Sequence, residues 1–167
     1  MNLGFDACSL LNLHHGQVLE KLASTKSYQG CIGPLVRDEC TSMLSKIADL
    51  VASGSLLALE DVTLSPVQFG SLLATHGLGV GETECLAHAH EMPELVISCD
   101  DGRARKVLRS ELGSHRVTGT LGLVVQAVRD GLLSLEEAFA SYTQMIAKGG
   151  FLPQISAEAF KKLVEDS

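Results

Sequence analysis

Four acids in this 167-residue chain are the side chains best suited to chemistry: Asp6, Glu39, Glu82 and Asp100, each close behind an apolar run or a glycine turn. Carboxylate oxygens are hard ligands. Several at one site suit a hard divalent cation, and without one their repulsion disfavours the site. Such a centre can activate water and stabilise both the attacking and the leaving oxygen in phosphodiester hydrolysis. A strand-terminal Asp is also a common helix cap, so each of the four has a purely local reading as well. Asp101 is either an accessory ligand or, by preference, the N-cap of the helix behind it. Ser9 either orients Asp6 or caps the first helix. Arg103 and Arg105 are placed to hold phosphates, although a solvated helix face accounts for them nearly as well.

Other chemistries fail on specific grounds. Cys85, His88 and His90 lie close together, but zinc needs three or four supported ligands and no second cluster supplies them. His14-His15 has no Ser or Cys nucleophile in an elbow sequence to serve. No G-x-x-x-x-G-K-[ST] occurs, and GLGVGE has neither the spacing nor the first-strand position of a dinucleotide loop. An aspartyl phosphotransferase would want a second Asp two positions after Asp6, where Cys8 stands.

The elements that must position the acids follow from pattern. Strands are expected at 3–7, 28–32, 56–59, 95–98 and 115–118. Between them, a helix starts near Ser9, and a long amphipathic helix after Gly33-Pro34 carries Val36, Met43, Ile47 and Leu50 on one face. Ser65-Pro66 opens a helix that ends near Gly77. Further helices begin at about Glu82 and Arg103, and Thr118 or Thr120 caps the one running to Gly131. Two more, at 134–148 and 156–164, form a C-terminal helical extension of a single domain. Strands alternating with helices indicate α/β, a three-layer α/β/α arrangement around a mainly parallel sheet. Ligands of open α/β sheets sit outside the carboxyl ends of the strands. Asp6 and Asp100 close two such strands, Glu82 starts a helix at the same rim, and Glu39 lies one turn into the long helix. Glu84, two residues beyond Glu82, points roughly 200° away from it on a helix, so only one of the two faces the rim.

A net charge of −7 sits awkwardly with a nucleic-acid ligand, but clustered carboxylates inflate it and bound divalent ions reverse the local sign. The positive charge is concentrated in Arg103, Arg105, Lys106 and Arg109. Five cysteines without a C-x-x-C pair exclude a zinc ribbon and a disulfide framework. No apolar run approaches the roughly 18 residues of a membrane span, and the N-terminus does not read as a signal peptide, so a cytoplasmic protein is expected.

The ordered motifs resemble those of PIN domains. FDACSLLNL is similar to the opening motif, with Asp6 closing strand one and Ser9 three positions on. VRDE resembles the second motif, where Glu39 is the acid and Asp38 the alternative. GLGVGETECLAHAH looks like a Gly-Glu form of the third motif. SCDDGRAR with VTGTLGLVVQAVRDGLL looks like the fourth, and GGFLPQISAEAFKKLVED like the closing helix. These variants resemble the subgroup related to virulence-associated toxin–antitoxin ribonucleases. The resemblance implies a Mg²⁺- or Mn²⁺-dependent endoribonuclease acting on RNA, with Asp6, Glu39, Glu82 and Asp100 as ligands. It also implies an antitoxin partner and a homodimer. The alternative is a catalytically silent PIN-like module that binds RNA or a protein.

Overall fold

The computed structural model describes residues 1–166. Five strands, β1 (Asn2–Phe5), β2 (Gln29–Ile32), β3 (Leu57–Ala58), β4 (Leu95–Ser98) and β5 (Val117–Thr118), form one sheet in the order β3-β2-β1-β4-β5. All neighbouring pairs are parallel. The chain builds outward from β1 to β3, then crosses back to place β4 on the other side of β1. That reversal is a topological switch point, and it falls between the two strands that lead into Asp6 and Asp100. The expected α/β architecture is present, and the sheet is wholly rather than mainly parallel.

Among the described residues ten α-helices flank the sheet: α1 (Ala7–His15), α2 (Leu19–Leu22), α3 (Pro34–Glu39), α4 (Leu44–Ala52), α5 (Pro66–His76), α6 (Val80–Glu91), α7 (Gly102–Leu112), α8 (Thr120–Arg129), α9 (Leu135–Ala147) and α10 (Ala157–Glu165). Helices α1, α8, α9 and α10 pack together, whereas α6 and α7 cover β4 and β5. Leu3, Phe5, Leu10, Leu86 and Ile97 are buried between these layers. The C-terminal pair is closed by aromatic contacts, with Phe160 centroids 5.6 Å from Phe139 and 5.9 Å from Tyr142. Among the described residues no helix is long and apolar enough to cross a membrane.

Local chemistry explains where helices start. Ser65 and Gln68 exchange side-chain and backbone bonds in a capping box, as do Ser134 and Glu137. Two expectations need correction. The long helix after Pro34 is broken: α3 stops at Cys40, whose ψ of 45° leaves the helical region, and a 3-10 turn over Thr41–Met43 leads into α4. Val36, Met43, Ile47 and Leu50 are all buried nonetheless, because the break preserves the face that their spacing defines. Neither Thr118 nor Thr120 caps α8. Gly119 occupies that position without a side-chain bond.

Arg116 ties the layers on the β4 side. Its guanidinium donates to the carbonyls of Ala89 (2.7 Å), Met92 (2.9 Å) and Leu95 (2.9 and 3.1 Å), joining the end of α6 to the start of β4. A lysine lacks the planar fork and could satisfy only part of this set. We expect Arg116→Lys to lower unfolding stability by ~2 kcal/mol, read from the urea midpoint. An unchanged midpoint would show that the three carbonyls are satisfied without the fork.

Candidate active site

Asp6 follows β1 directly and is the N-cap of α1, its Oδ1 accepting the Ser9 amide at 2.6 Å. Helix α1 therefore starts before Ser9, and Ser9 is the capped residue rather than the cap. The buried Ser9 hydroxyl bonds that of Ser98 at 3.0 Å, fastening α1 to the end of β4. Parallel pairing brings Phe5 opposite Ser98. One residue on, the Asp6 amide donates to the Ser98 carbonyl at 3.0 Å, and the Asp100 amide donates to Asp6 Oδ2 at 3.3 Å. Two carboxylates are thereby forced side by side, Asp6 only 3% exposed and Asp100 only 8%.

Asp100 is held from three directions. Asn12 Nδ2 on α1 donates to its Oδ2 at 2.8 Å, the Thr120 amide at the start of α8 donates to Oδ1 at 2.8 Å, and the Thr120 hydroxyl also bonds Oδ2. Arg105 approaches Oδ1 at 3.5 Å while donating to the carbonyls of Cys99 (2.9 Å) and Asp100 (3.2 Å). This crowding leaves no room for a side chain opposite: a Cβ at Gly119 would lie 2.9 Å from Asp100 Oδ1. Asn12 and the hydroxyl of Thr120 escaped the sequence reading as site residues. The signal was present for Asn12, a polar residue beside Leu10 and Leu13 on the buried face of α1.

The other two acids meet at the start of α6. Glu82 closes back on its own helix, accepting the Gly79 amide at 2.7 Å, and Glu39 reaches across from α3 to accept the Gly81 amide at 2.9 Å. The neighbouring Asp38 is paired with Arg37 at 3.5 Å on the surface. Thus Asp6 lies against Asp100, and Glu39 and Glu82 share the first turn of α6. Among the described residues no three acidic, His or Cys side chains stand close enough to cage a metal. Asp6, Glu39 and Glu82 still share one electrostatic neighbourhood, since burial and the charges of Asp6, Glu84, Glu39 and Glu82 push the Cys85 thiol up.

Glu84 has a different role. It is 1% exposed, and its two oxygens accept the amides of Leu35 (2.9 Å) and Val36 (2.8 Å). It caps α3 from another helix, satisfying amides that a helix start leaves open. Asp101 caps α7 through the Ala104 amide at 2.7 Å. The Arg103 guanidinium lies over Gly77, in the turn between α5 and α6, so of the two expected phosphate-binding residues only Arg105 touches Asp100.

The donor set fits a small hard cation. Mg²⁺ is held by one or two carboxylates, with waters and substrate phosphate oxygens completing its shell, and the Asp6–Asp100 pair supplies that much. Burial pushes the Asp6 carboxyl up to about 6; the Ser9 hydroxyl and amide pull it back and the charge of Asp100 adds to the rise. A carboxyl raised in the folded state favours folding while it is protonated. That contribution is complete below the unfolded value near 3.8 and is lost as pH rises through about 6. We therefore expect urea midpoints in EDTA to fall for the wild type, relative to Asp6→Asn, between about pH 4 and pH 7. The relative loss should be at most ~3 kcal/mol, and parallel curves for the two proteins would contradict it.

A family model described as a PIN domain matches residues 4–166. No curated protein and no solved structure gives a significant match. Strand order, the acids at the switch point and a match over nearly the whole length agree, and the chain belongs to the PIN-domain family, whose members are in general metal-dependent nucleases.

Proposed function

We propose that the protein is an endoribonuclease that hydrolyses RNA phosphodiesters with Mg²⁺ or Mn²⁺, and that Asp6, Asp100, Glu82 and Glu39 hold the cation directly or through water. The observation that carries this reading is the buried Asp6–Asp100 pair at the switch point, with the Asp100 amide 3.3 Å from the Asp6 carboxylate. Two adjacent buried carboxylates are costly without a positive partner, and Arg105 at 3.5 Å neutralises only one side. The cation, when bound, supplies Lewis-acid stabilisation and a water activated for attack. The chain's own groups do the rest. Asn12 and Thr120 fix the Asp100 carboxylate, and Ser9 fixes Asp6. Glu39 and Glu82, anchored through Gly81 and Gly79, present further oxygens at the rim. Arg105 stands where it can pair with a substrate phosphate. The preference for RNA, the toxin-like role, an antitoxin partner and a homodimer rest on the resemblance of the motifs.

Removing one carboxylate oxygen charge should remove the cation. We expect Asp100→Asn to lose most Mn²⁺ binding by titration calorimetry, and RNA cleavage to fall by at least ~100-fold. Excess EDTA should abolish cleavage by the wild type. Cleavage that persists in EDTA, or equal Mn²⁺ affinity in the variant, would overturn the proposed chemistry. Binding of RNA with no cleavage under any divalent ion would instead establish the silent-module reading.

The glutamates of GETE separate in a second test. Glu82→Gln should abolish activity with the melting temperature little changed, because a glutamine oxygen can still accept the Gly79 amide. Glu84→Gln presents one amide group where two acceptors are needed, leaving a backbone N–H of α3 opposed. It should cost ~2 kcal/mol of stability while folded enzyme remains active. An inactive but fully stable Glu84→Gln would reverse the assignment.

A further inference from the structure

Beside Asp100 a short segment stands up from the surface. At the end of α9 the chain turns through Gly149 (φ 94°), the Gly150 amide returns to the Met145 carbonyl at 3.0 Å, and the Leu152 amide bonds the Gly150 carbonyl at 2.8 Å. That last bond closes a three-residue turn with Phe151 at its apex. Both sides of the turn are fixed. Leu152 is buried, the Tyr142 hydroxyl holds the Pro153 carbonyl at 2.7 Å, and Gly150 packs so closely on Asn12 that a Cβ there would lie 2.5 Å from Asn12 Oδ1. Phe151 nevertheless remains 98% exposed. A rigid mount for an aromatic ring in water contributes nothing to the core.

The surroundings suggest an occupant. Phe151 and Asp100 line one hollow together with Cys8 and Asn12, and a second hollow together with Arg105 and Gln154. From Asp100 a groove continues past Arg105 and Arg109. Along this path the order is aromatic ring, carboxylate site, guanidinium groups. The chemistry matches a nucleic-acid strand with a base on one side of the scissile phosphate and further phosphates on the other. A ring in this position can stack only on a base that is itself unstacked, which selects single strands over duplex. It also answers the charge problem. With a net charge of −7, phosphate neutralisation alone is a poor source of affinity, whereas stacking is apolar and depends little on salt.

We propose that Phe151 is the base-stacking platform of the site, holding the nucleotide next to the bond to be cut. The inference rests on reading the acidic cleft as a nuclease site. The absence of tryptophan from the chain provides a direct probe. In Phe151→Trp the introduced indole is the only one, and its fluorescence should be quenched saturably by single-stranded RNA. Neither RNA–RNA duplex nor an abasic strand of equal length should quench it. Phe151→Ala, at a fully exposed position, should fold as the wild type does. By anisotropy in Ca²⁺ it should bind a labelled single strand of roughly 12 nucleotides about 5- to 150-fold more weakly. Duplex affinity should be unchanged. A wild type that binds and cleaves RNA while Phe151→Ala binds single strands equally well, or while the indole is not quenched, would overturn the platform and leave the nuclease reading intact. Quenching that follows protein concentration rather than RNA would assign the ring to a contact between copies, again overturning the platform. A wild type with no affinity for any RNA would sink both readings.

Discussion

Like charges held at one edge of a sheet need a standing source of positive potential, and here the backbone provides it. In a parallel α/β sheet each strand runs into the start of a helix, and helix starts carry unpaired amides and the positive end of the dipole. Every carboxylate of the cluster ends on such amides: Asp6 on α1, Asp100 on α8, Glu39 and Glu82 on α6, and Glu84 on α3. Hydrogen bonds and helix dipoles thus offset part of a repulsion that the sequence creates by placing these acids together. The offset is incomplete at Asp6, which is buried beside Asp100 and whose carboxyl stays raised. That residual imbalance is what a divalent cation would relieve.

The same arrangement couples site to fold. Glu84 secures α3 to α6 while Glu39, at the far end of α3, reaches back to the first turn of α6. One helix pair is therefore bonded at both ends through carboxylates, one structural and one at the rim. Gly81 permits it, since a Cβ there would lie 2.7 Å from Glu39 Oε2. On the other side of β1, Asn12 links α1 to Asp100, and Gly150 packs on Asn12. The C-terminal segment is in this way part of the wall of the cleft.

Sequence pattern revealed the strands and the two aspartates that follow them, because period is a local quantity, whereas the strand order that creates the switch point is a tertiary one. It also separated Glu82 from Glu84, since helical geometry alone turns them to different faces. The capping of α3 by Glu84 was not legible, because an acceptor's partner 48 residues away depends on how two helices pack. The break at Cys40 was hidden for the opposite reason: spacing of Val36, Met43, Ile47 and Leu50 is consistent with one helix or with two pieces sharing a face. Asn12 and Thr120 lie inside the opening and fourth motifs, but only the tertiary approach of α1 and α8 to Asp100 gives them a common target.

The pairing of β1 with β4 also fixes when the site can exist. Asp6 and Asp100 are 94 residues apart in the chain, yet the amide of one bonds the carboxylate of the other. During synthesis, at ~5–20 residues per second, the first acid emerges ~5–20 s before the second, and the wall that contains Phe151 follows later still. A nascent chain carries β1 through that interval without β4, the strand that completes its acid pair.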